Sequence, residues 1–204
     1  MLFFLNKQTD LEPKIKVLRD AGVKNVTIYN VLRKYLNFVT YRTQSLALKI
    51  EYLKSIGLTG EEIDKVYSTF PALLAHSIED KLKPLVTELE RLGFIGHNLV
   101  KTIVYNPYVF SMKVGGELSR CVSLLMNLKC RKPLQDKIYK EGIIAGSRRV
   151  KARLEYLTKQ GLLHREAFKL LEKEPRIIHY DLQSIEGKVN FLISDMGFPV
   201  RNLT

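Results

Sequence analysis

Apolar residues recur along this 204-residue chain at intervals of three and four, a spacing that predicts amphipathic α-helices. The apolar stripes end at glycines that are 35, 36, 68 and 36 positions apart: Gly22, Gly57, Gly93, Gly161 and Gly197. Four residues before each of these points, and before Lys129 inside the longest gap, stand Leu18, Leu53, Leu89, Leu125, Leu157 and Ile193. A fixed period in the thirties indicates stacked helical repeats.

Each repeat is predicted to contain a second helix and a short turn. The glycine suits the left-handed C-terminal cap of the first helix. The string Thr59-Gly60-Glu61-Glu62 has the pattern of a capping box and predicts the start of the second helix. That helix should end at a proline 14 residues after the glycine, as at Pro71, Pro107 and Pro175. Pro13 and Pro84, nine residues before their glycines, predict the start of the first helix.

The predicted fold class is all-α, a superhelical solenoid of about five to six three-helix repeats of ~32–36 residues, each with two long helices and a short turn. We expect a single repeat domain over residues 1–204, truncated at both ends, because Met1 falls inside a repeat and few residues follow Gly197. The fourth repeat is irregular, with Lys129 in place of the glycine and Ile143 in place of the proline. A functional compromise or a simple deletion would explain this irregularity equally well.

The charge of the chain favours an anionic partner. There are 33 Lys and Arg against 21 Asp and Glu, a formal net charge of +12. Residues 101–165 hold 14 of the former and 4 of the latter, so +10 of the excess lies in one third of the chain. Such a surface attracts polyanions, although a solvated basic face without a ligand stays open.

Six strings are the most distinctive parts of the repeats: Leu58-Thr59-Gly60-Glu61-Glu62-Ile63, Phe70-Pro71-Ala72-Leu73-Leu74, Leu82-Lys83-Pro84, Leu92-Gly93-Phe94, Asn106-Pro107-Tyr108-Val109-Phe110 and Glu174-Pro175-Arg176-Ile177-Ile178. These strings resemble the motifs of the mitochondrial transcription termination factor (mTERF) family. The resemblance covers the chain in about five and a half repeats. It implies a left-handed superhelix of three-helix modules whose basic groove holds nucleic acid, in a mitochondrion or chloroplast.

Nine cations are the predicted nucleic-acid contacts: Arg42, Lys113, Arg120, Arg131, Lys132, Arg148, Arg149, Lys151 and Arg153. Two groups of these cations are expected to lie at the starts of helices, where backbone N–H groups also bind phosphate. One group is Arg131 with Lys132, and the other is Arg148, Arg149, Lys151 and Arg153. Five residues lie six positions past the proline point or its counterpart, where we expect them to form one edge, and three of the five are cationic: Arg42, Ser77, Lys113, Arg149 and Asp181. Alternatively, these side chains cover apolar surface while their charged ends stay in water.

Aromatic residues near the end of the second helix offer a further kind of contact with nucleic acid. They are Tyr35, Tyr41, Tyr105, Tyr108 and Tyr180. Exposed rings could stack on bases, whereas buried rings would pack between repeats, and the sequence leaves both open.

We therefore predict a monomeric protein that binds double-stranded DNA or RNA and regulates transcription, through termination, or organellar RNA metabolism. The alternative is an interaction scaffold for an RNA-modifying enzyme or for ribosome assembly. No catalytic motif, cofactor, metal or membrane span is predicted. The four histidines have no partner at metal-binding spacing, and Cys121 and Cys130 are expected to be small buried hydrophobes.

Overall fold

The computed structural model describes residues 2–199, with side chains from residue 11 onward except that of Leu36. All regular secondary structure in this range is helical, which confirms the all-α repeat class. The chain divides into two compact units, residues 1–115 and 116–204. A single domain over the whole chain stays a prediction, and Met1 and residues 200–204, which bear on the expected truncation, lie outside the described range.

The first unit contains three successive repeats of the predicted order. The first has α1 (Leu2–Asp20), α2 (Asn25–Lys34) and a 3-10 helix at Leu36–Thr40; the second has α3 (Thr43–Ser55), α4 (Gly60–Thr69) and a 3-10 helix at Pro71–Ala75. The third has a π-helical turn at Ile78–Leu82 that continues as α5 (Lys83–Arg91), then α6 (His97–Tyr105) and a 3-10 helix at Pro107–Ser111. Equivalent helices of neighbouring repeats pack together, α1 on α3, α2 on α4 and α4 on α6.

The predicted glycine caps are present with their backbone hydrogen bonds. After α3, the Gly57 N–H donates to the Lys54 oxygen at 2.9 Å and the Leu58 N–H to the Leu53 oxygen at 3.1 Å, which is a Schellman motif. Gly57 has a φ of 101°, a conformation in which a Cβ would be strained. The same pair of bonds ends the first helix at Gly22, Gly93 and Gly161. The leucines four residues before these glycines are all buried.

The second unit begins with the irregular repeat. It consists of α7 (Glu117–Met126) and α8 (Lys132–Tyr139), and α9 (Ile143–Lys159) follows without a short third helix. The fifth repeat adds α10 (His164–Lys173) and α11 (Arg176–His179) to α9, and α12 (Leu182–Asn190) opens the sixth and runs into a π-helical turn at Phe191–Asp195. Because Ile143 replaces the proline, the chain passes straight into a 17-residue helix.

Buried cations join the first and third helices of a repeat, a feature the sequence analysis missed. Lys14, Lys49 and Arg153 each stand eight residues before a cap glycine and are at most 7% exposed. The Lys14 Nζ donates to the Val39 oxygen at 2.6 Å, the Lys49 Nζ to the Leu74 oxygen, and the Arg153 guanidinium to Ile177 and Tyr180. In the third repeat the half-buried Lys81 donates in the same way to the Met112 oxygen. Each cation thus satisfies carbonyl groups that the short helix leaves without a helical partner.

The prediction from Pro13 is wrong, and the one from Pro84 is only partly confirmed. Helix α1 begins at Leu2 and continues through Pro13, while Pro84 lies in the first turn of α5 but behind a π-helical turn that starts at Ile78. An internal proline costs a helix about 3 kcal/mol. The packing of α1 against α2 and α3 offsets that cost in the folded protein.

Candidate nucleic-acid interface

The second unit contains a cleft of about 750 Å³ between the start of α8 and the segment from the end of α10 through α11. Packing of α8 on α11 brings the two walls together. Pro175 itself causes the break between the two helices of the second wall, because proline disfavours the helical conformation in the residue before it. Helix α10 therefore ends before Pro175, and α11 begins after it. The residues that line the cleft are Cys130, Arg131, Pro133, Leu134, Lys137, Lys173, Glu174, Pro175, Arg176, His179 and Tyr180.

The cleft is strongly cationic. Its walls carry Arg131, Lys137, Lys173 and Arg176, all exposed, against the single carboxylate of Glu174. Glu174 accepts from the Arg176 Nε at 3.1 Å and from its Nη2 at 2.7 Å. Because solvent screens an exposed ion pair of this kind, the pair stabilises the protein little, and Arg176 can exchange this carboxylate for an external anion. The arrangement suits a ligand with phosphate groups.

Tyr180 gives the cleft an accessible aromatic surface. Its side chain is 45% exposed, and the Lys188 Nζ lies 5.2 Å from the ring centroid. The main-chain oxygen of Tyr180 accepts a hydrogen bond from the Arg153 Nη2 at 2.5 Å. The buried side chain of Arg153, on α9, therefore fixes the backbone segment that carries the ring.

Arg153, one of the predicted contacts, has a structural role. It is 7% exposed, and its guanidinium donates to the carbonyl oxygens of Arg149, Ile177 and Tyr180. Burial, and then the neighbouring Arg149 charge, lower the pKa of Arg153. Because its donors are directed inward to the backbone, we remove Arg153 from the candidate interface.

The other predicted cations of α9 are also engaged within the protein. The Arg149 Nη1 lies 2.7 Å from the Glu141 Oε2, and its Nη2 donates to the Ile138 oxygen; Lys151 pairs with Glu155. Arg148 is half-buried. The expectation that these residues open a helix is wrong, because α9 begins at Ile143 and Arg148 is its sixth residue. The continuous helix that replaces the proline break moves them away from the helix start.

Arg131 and Lys132 lie where they were predicted, at the N-cap and first residue of α8. Both are exposed, and Lys132 is 3.2 Å from the Asp136 carboxylate. Arg120 is exposed on α7. Of the predicted set, only Arg131 lines the cleft.

Arg42 and Lys113 belong to the first unit, where both are exposed. Arg42 is the N-cap of α3, and Lys113 lies in the turn after the third 3-10 helix. Arg149, in contrast, is inside α9. These three residues therefore differ in their position relative to the helix starts, and the edge that they were expected to form stays a prediction.

Most of the candidate aromatic residues pack within the protein. Tyr35 and Tyr41 stack with their ring centroids 6.2 Å apart and their hydroxyl groups 3.0 Å apart, and burial with this contact raises the pKa of Tyr35 to about 12. Tyr108 packs on Phe70 at 5.0 Å. Tyr105 and Tyr180 are the more exposed members of the set, at 73% and 45%.

Sequence analysis did not single out Lys137, Lys173 and Arg176, which line the cleft. A signal existed for the last two, because they flank the Pro175 break that the repeat pattern had identified. Lys137 had none, since its place in the cleft depends on how α8 packs against α11.

The described residues contain no group of three or more His, Cys, Asp or Glu side chains that could hold a metal ion. Among the helices of residues 2–199, none is both long and apolar enough to cross a bilayer. Cys121 is buried as expected, whereas Cys130 is half-buried in the cleft wall.

The fold and the cleft define an all-α helical-repeat protein with a cationic cleft in its second unit. The mTERF family profile matches residues 50–204 of the chain. The chain belongs to the mTERF family, as the repeat motifs indicate. Two relatives from Arabidopsis thaliana are similar over nearly the whole chain: "Transcription termination factor MTERF15, mitochondrial", 35% identical over 93% of this chain, and "Transcription termination factor MTERF8, chloroplastic", 25% identical over 98%.

The chain spans 42% and 41% of the lengths of these two relatives. One relative is named mitochondrial and the other chloroplastic, in agreement with the organellar location that the resemblance implies.

Proposed function

We propose that this protein binds nucleic acid in a mitochondrion or chloroplast and acts there in transcription termination or RNA metabolism, as the names of its relatives suggest. The observation that carries the proposal is the cleft of the second unit, where four exposed cations face one carboxylate. Phosphate groups supply the affinity, because Arg and Lys side chains bind them without reading the base sequence. The protein acts as a monomer and needs no cofactor.

Salt dependence tests the phosphate mechanism directly. The logarithm of the affinity should fall with the logarithm of salt concentration, with a slope of about −0.9 per phosphate bound on duplex DNA and about −0.7 on a single strand. The measurement is a titration of the purified protein with labelled DNA and RNA between about 50 and 200 mM salt. An affinity that does not change with salt would refute binding through phosphate.

Charge reversal assigns the contact surface. Lys173→Glu and Arg176→Glu should weaken binding to every sequence alike and reduce the salt slope by about one for each phosphate that the variant no longer binds. Arg165→Glu is the matched control, since Arg165 is exposed on the same helix as Lys173 but does not line the cleft. Equally weakened binding in Lys173→Glu and Arg165→Glu would show that general charge, and not the cleft, determines binding.

Arg149→Glu is a poor probe of the interface, although the sequence suggests it. Arg149 pairs with Glu141 and donates to the Ile138 oxygen, so a carboxylate there disturbs the packing of α8 on α9. Weaker binding by this variant would therefore not distinguish a disturbed fold from the loss of a nucleic-acid contact.

An interaction scaffold is the alternative function from the sequence. Gel filtration of the protein with and without an oligonucleotide separates the two. A shared peak whose formation depends on salt supports nucleic-acid binding, whereas no shift at low salt favours the scaffold.

A further inference from the structure

Tyr180 differs from the other tyrosines of this chain in its surroundings. Among the described residues that line the cleft it is the one phenolic ring, and it stays 45% exposed. Tyr105 is more exposed, at 73%, but lies in the first unit and outside the cleft. An exposed ring within a cationic cleft combines the two elements by which proteins hold single strands, a stacking surface and charges along the backbone.

The size of the cleft fits one nucleotide and its phosphates. Its volume of about 750 Å³ falls within the roughly 300–1,000 Å³ of clefts that bind small ligands. The lining combines the apolar side chains of Pro133, Leu134 and Pro175 with the four cations. A base would meet the apolar side chains and the ring, while its flanking phosphates would meet the charged side chains.

The interior of the unit fixes the backbone that carries the ring. The Arg153 guanidinium donates to the main-chain oxygen of Tyr180 at 2.5 Å and to that of Ile177 at 3.3 Å, and α11 packs on α9. A surface that is already ordered loses little conformational entropy on binding.

We infer that this cleft takes an unpaired nucleotide of a single-stranded segment, with the base against Tyr180 and the adjoining phosphates at Arg131, Lys173 and Arg176. The inference rests on the proposed function and narrows it. Bases in a duplex stack on each other and cannot present a face to a protein ring, so the cleft discriminates between paired and unpaired segments.

The test compares single strands of about 12 nucleotides with blunt-ended duplexes of the same sequence, as DNA and as RNA, each with one 2-aminopurine away from the ends. We expect tighter binding and fluorescence quenching for the single strands. Tyr180→Ala should weaken single-strand binding about five- to 100-fold and abolish the quenching, but change duplex binding less than about two-fold.

Two variants control for folding and for general aromatic contacts. Tyr180→Phe keeps the ring and should bind within about two-fold of the unmodified protein. Tyr105→Ala removes an exposed ring elsewhere and should have no effect on the single-strand affinity. Circular dichroism of each variant confirms that the helices are retained.

The outcomes separate this inference from the proposed function. If Lys173→Glu weakens binding but Tyr180→Ala does not, or if Tyr180→Ala weakens duplex binding equally, the inference is wrong and nucleic-acid binding stands. If neither strand nor duplex binds, both are wrong. A free mononucleotide that binds as tightly as the strand would overturn the assignment to a single-stranded segment.

Discussion

The first unit repeats one structural rule three times, whereas the second unit departs from it in its first repeat. In the first unit each first helix ends at a Schellman glycine, and a lysine joins its repeat to the short third helix. The fourth repeat has Lys129 at the glycine position and has no third helix. Eight residues before Lys129, at the position that holds the buried cation in repeats one, two and five, it carries buried Cys121. The buried cation and the short helix are therefore absent together.

This difference shows what the buried cations are for. A cation in an apolar interior is stable only where acceptors meet it, and the carbonyl end of a third helix supplies them. The second unit also has the larger excess of positive charge for its length. It has 17 Lys and Arg against 10 Asp and Glu over residues 116–204, compared with 16 and 11 over residues 1–115. Its cleft lies between the irregular fourth repeat and the regular fifth.

Cys121→Lys gives the fourth repeat the cation of its neighbours and should have the largest effect. Cys121 is fully buried, and the fourth repeat has no short third helix between α8 and α9 to accept from an ammonium group there. We expect the free energy of unfolding to fall by more than about 3 kcal/mol. Urea unfolding measures this, with Cys121→Met as the control of similar volume; equal decreases in both variants would mean that size, and not charge, is the problem.

Gly22→Ala tests the contact between the first two repeats. A Cβ at Gly22 would lie 2.9 Å from the Gly60 Cα, and the φ of Gly22 is 92°. Gly161 has a similar φ of 104° but nothing within 4 Å of its Cβ position. Gly161→Ala should cost about 1–2 kcal/mol from the backbone conformation, and Gly22→Ala about 2–4 kcal/mol because a clash with backbone is added. Equal unfolding midpoints for the two variants would contradict this close packing.

Exchanging helix caps between the units should produce changes of opposite sign. The Thr59 hydroxyl and the Glu62 carboxylate form a complete capping box on α4, whereas on α10 the Glu166 carboxylate accepts from the Leu163 N–H and leucine has no acceptor to offer in return. Thr59→Ala should lower the free energy of unfolding by about 0.5–2 kcal/mol, and Leu163→Thr should raise it by about 0.5–1 kcal/mol. Thermal unfolding of both variants checks the signs, and a decrease in Leu163→Thr would mean that this exposed leucine contributes packing.

The pH dependence should distinguish the lysine of the first unit from the arginine of the second. Burial lowers the pKa of Lys49 from 10.5 to about 8. Between pH 8 and 10.5 the unfolded chain holds a proton that the folded one has released, so the free energy of unfolding rises with pH through this window. Relative to Lys49→Met, the unmodified protein should gain stability there, by less than the about 3 kcal/mol to which the full pKa difference corresponds.

Arg153→Met is the matched variant for that comparison, because a guanidinium keeps its charge throughout this pH range. The stability difference between Arg153→Met and the unmodified protein should stay constant from pH 8 to 10.5. Urea midpoints at several pH values measure both differences, and a parallel rise in the two would show that other groups are responsible.

The local features of the fold followed from single residues. Glycine at a positive φ, proline that excludes a preceding helical residue, and the threonine–glutamate cap act within a few positions of themselves, so their spacing along the chain predicted the helix ends at Gly57, Pro71 and Thr59. Pro13 failed as a marker, because packing of α1 outweighs the absence of one backbone donor.

Packing between helices determined whether each charged side chain is exposed or buried. The sequence predicted both Arg131 and Arg153 as nucleic-acid contacts. In the structure Arg131 lines an open cleft, whereas Arg153 donates, inside the unit, to carbonyl groups of α11 and of the residue after it. Composition supplied the positive charge and the spacing of motifs supplied the helices. The contact of α8 with α11 set which cations face a ligand, because burial depends on residues distant in the chain that no local pattern records.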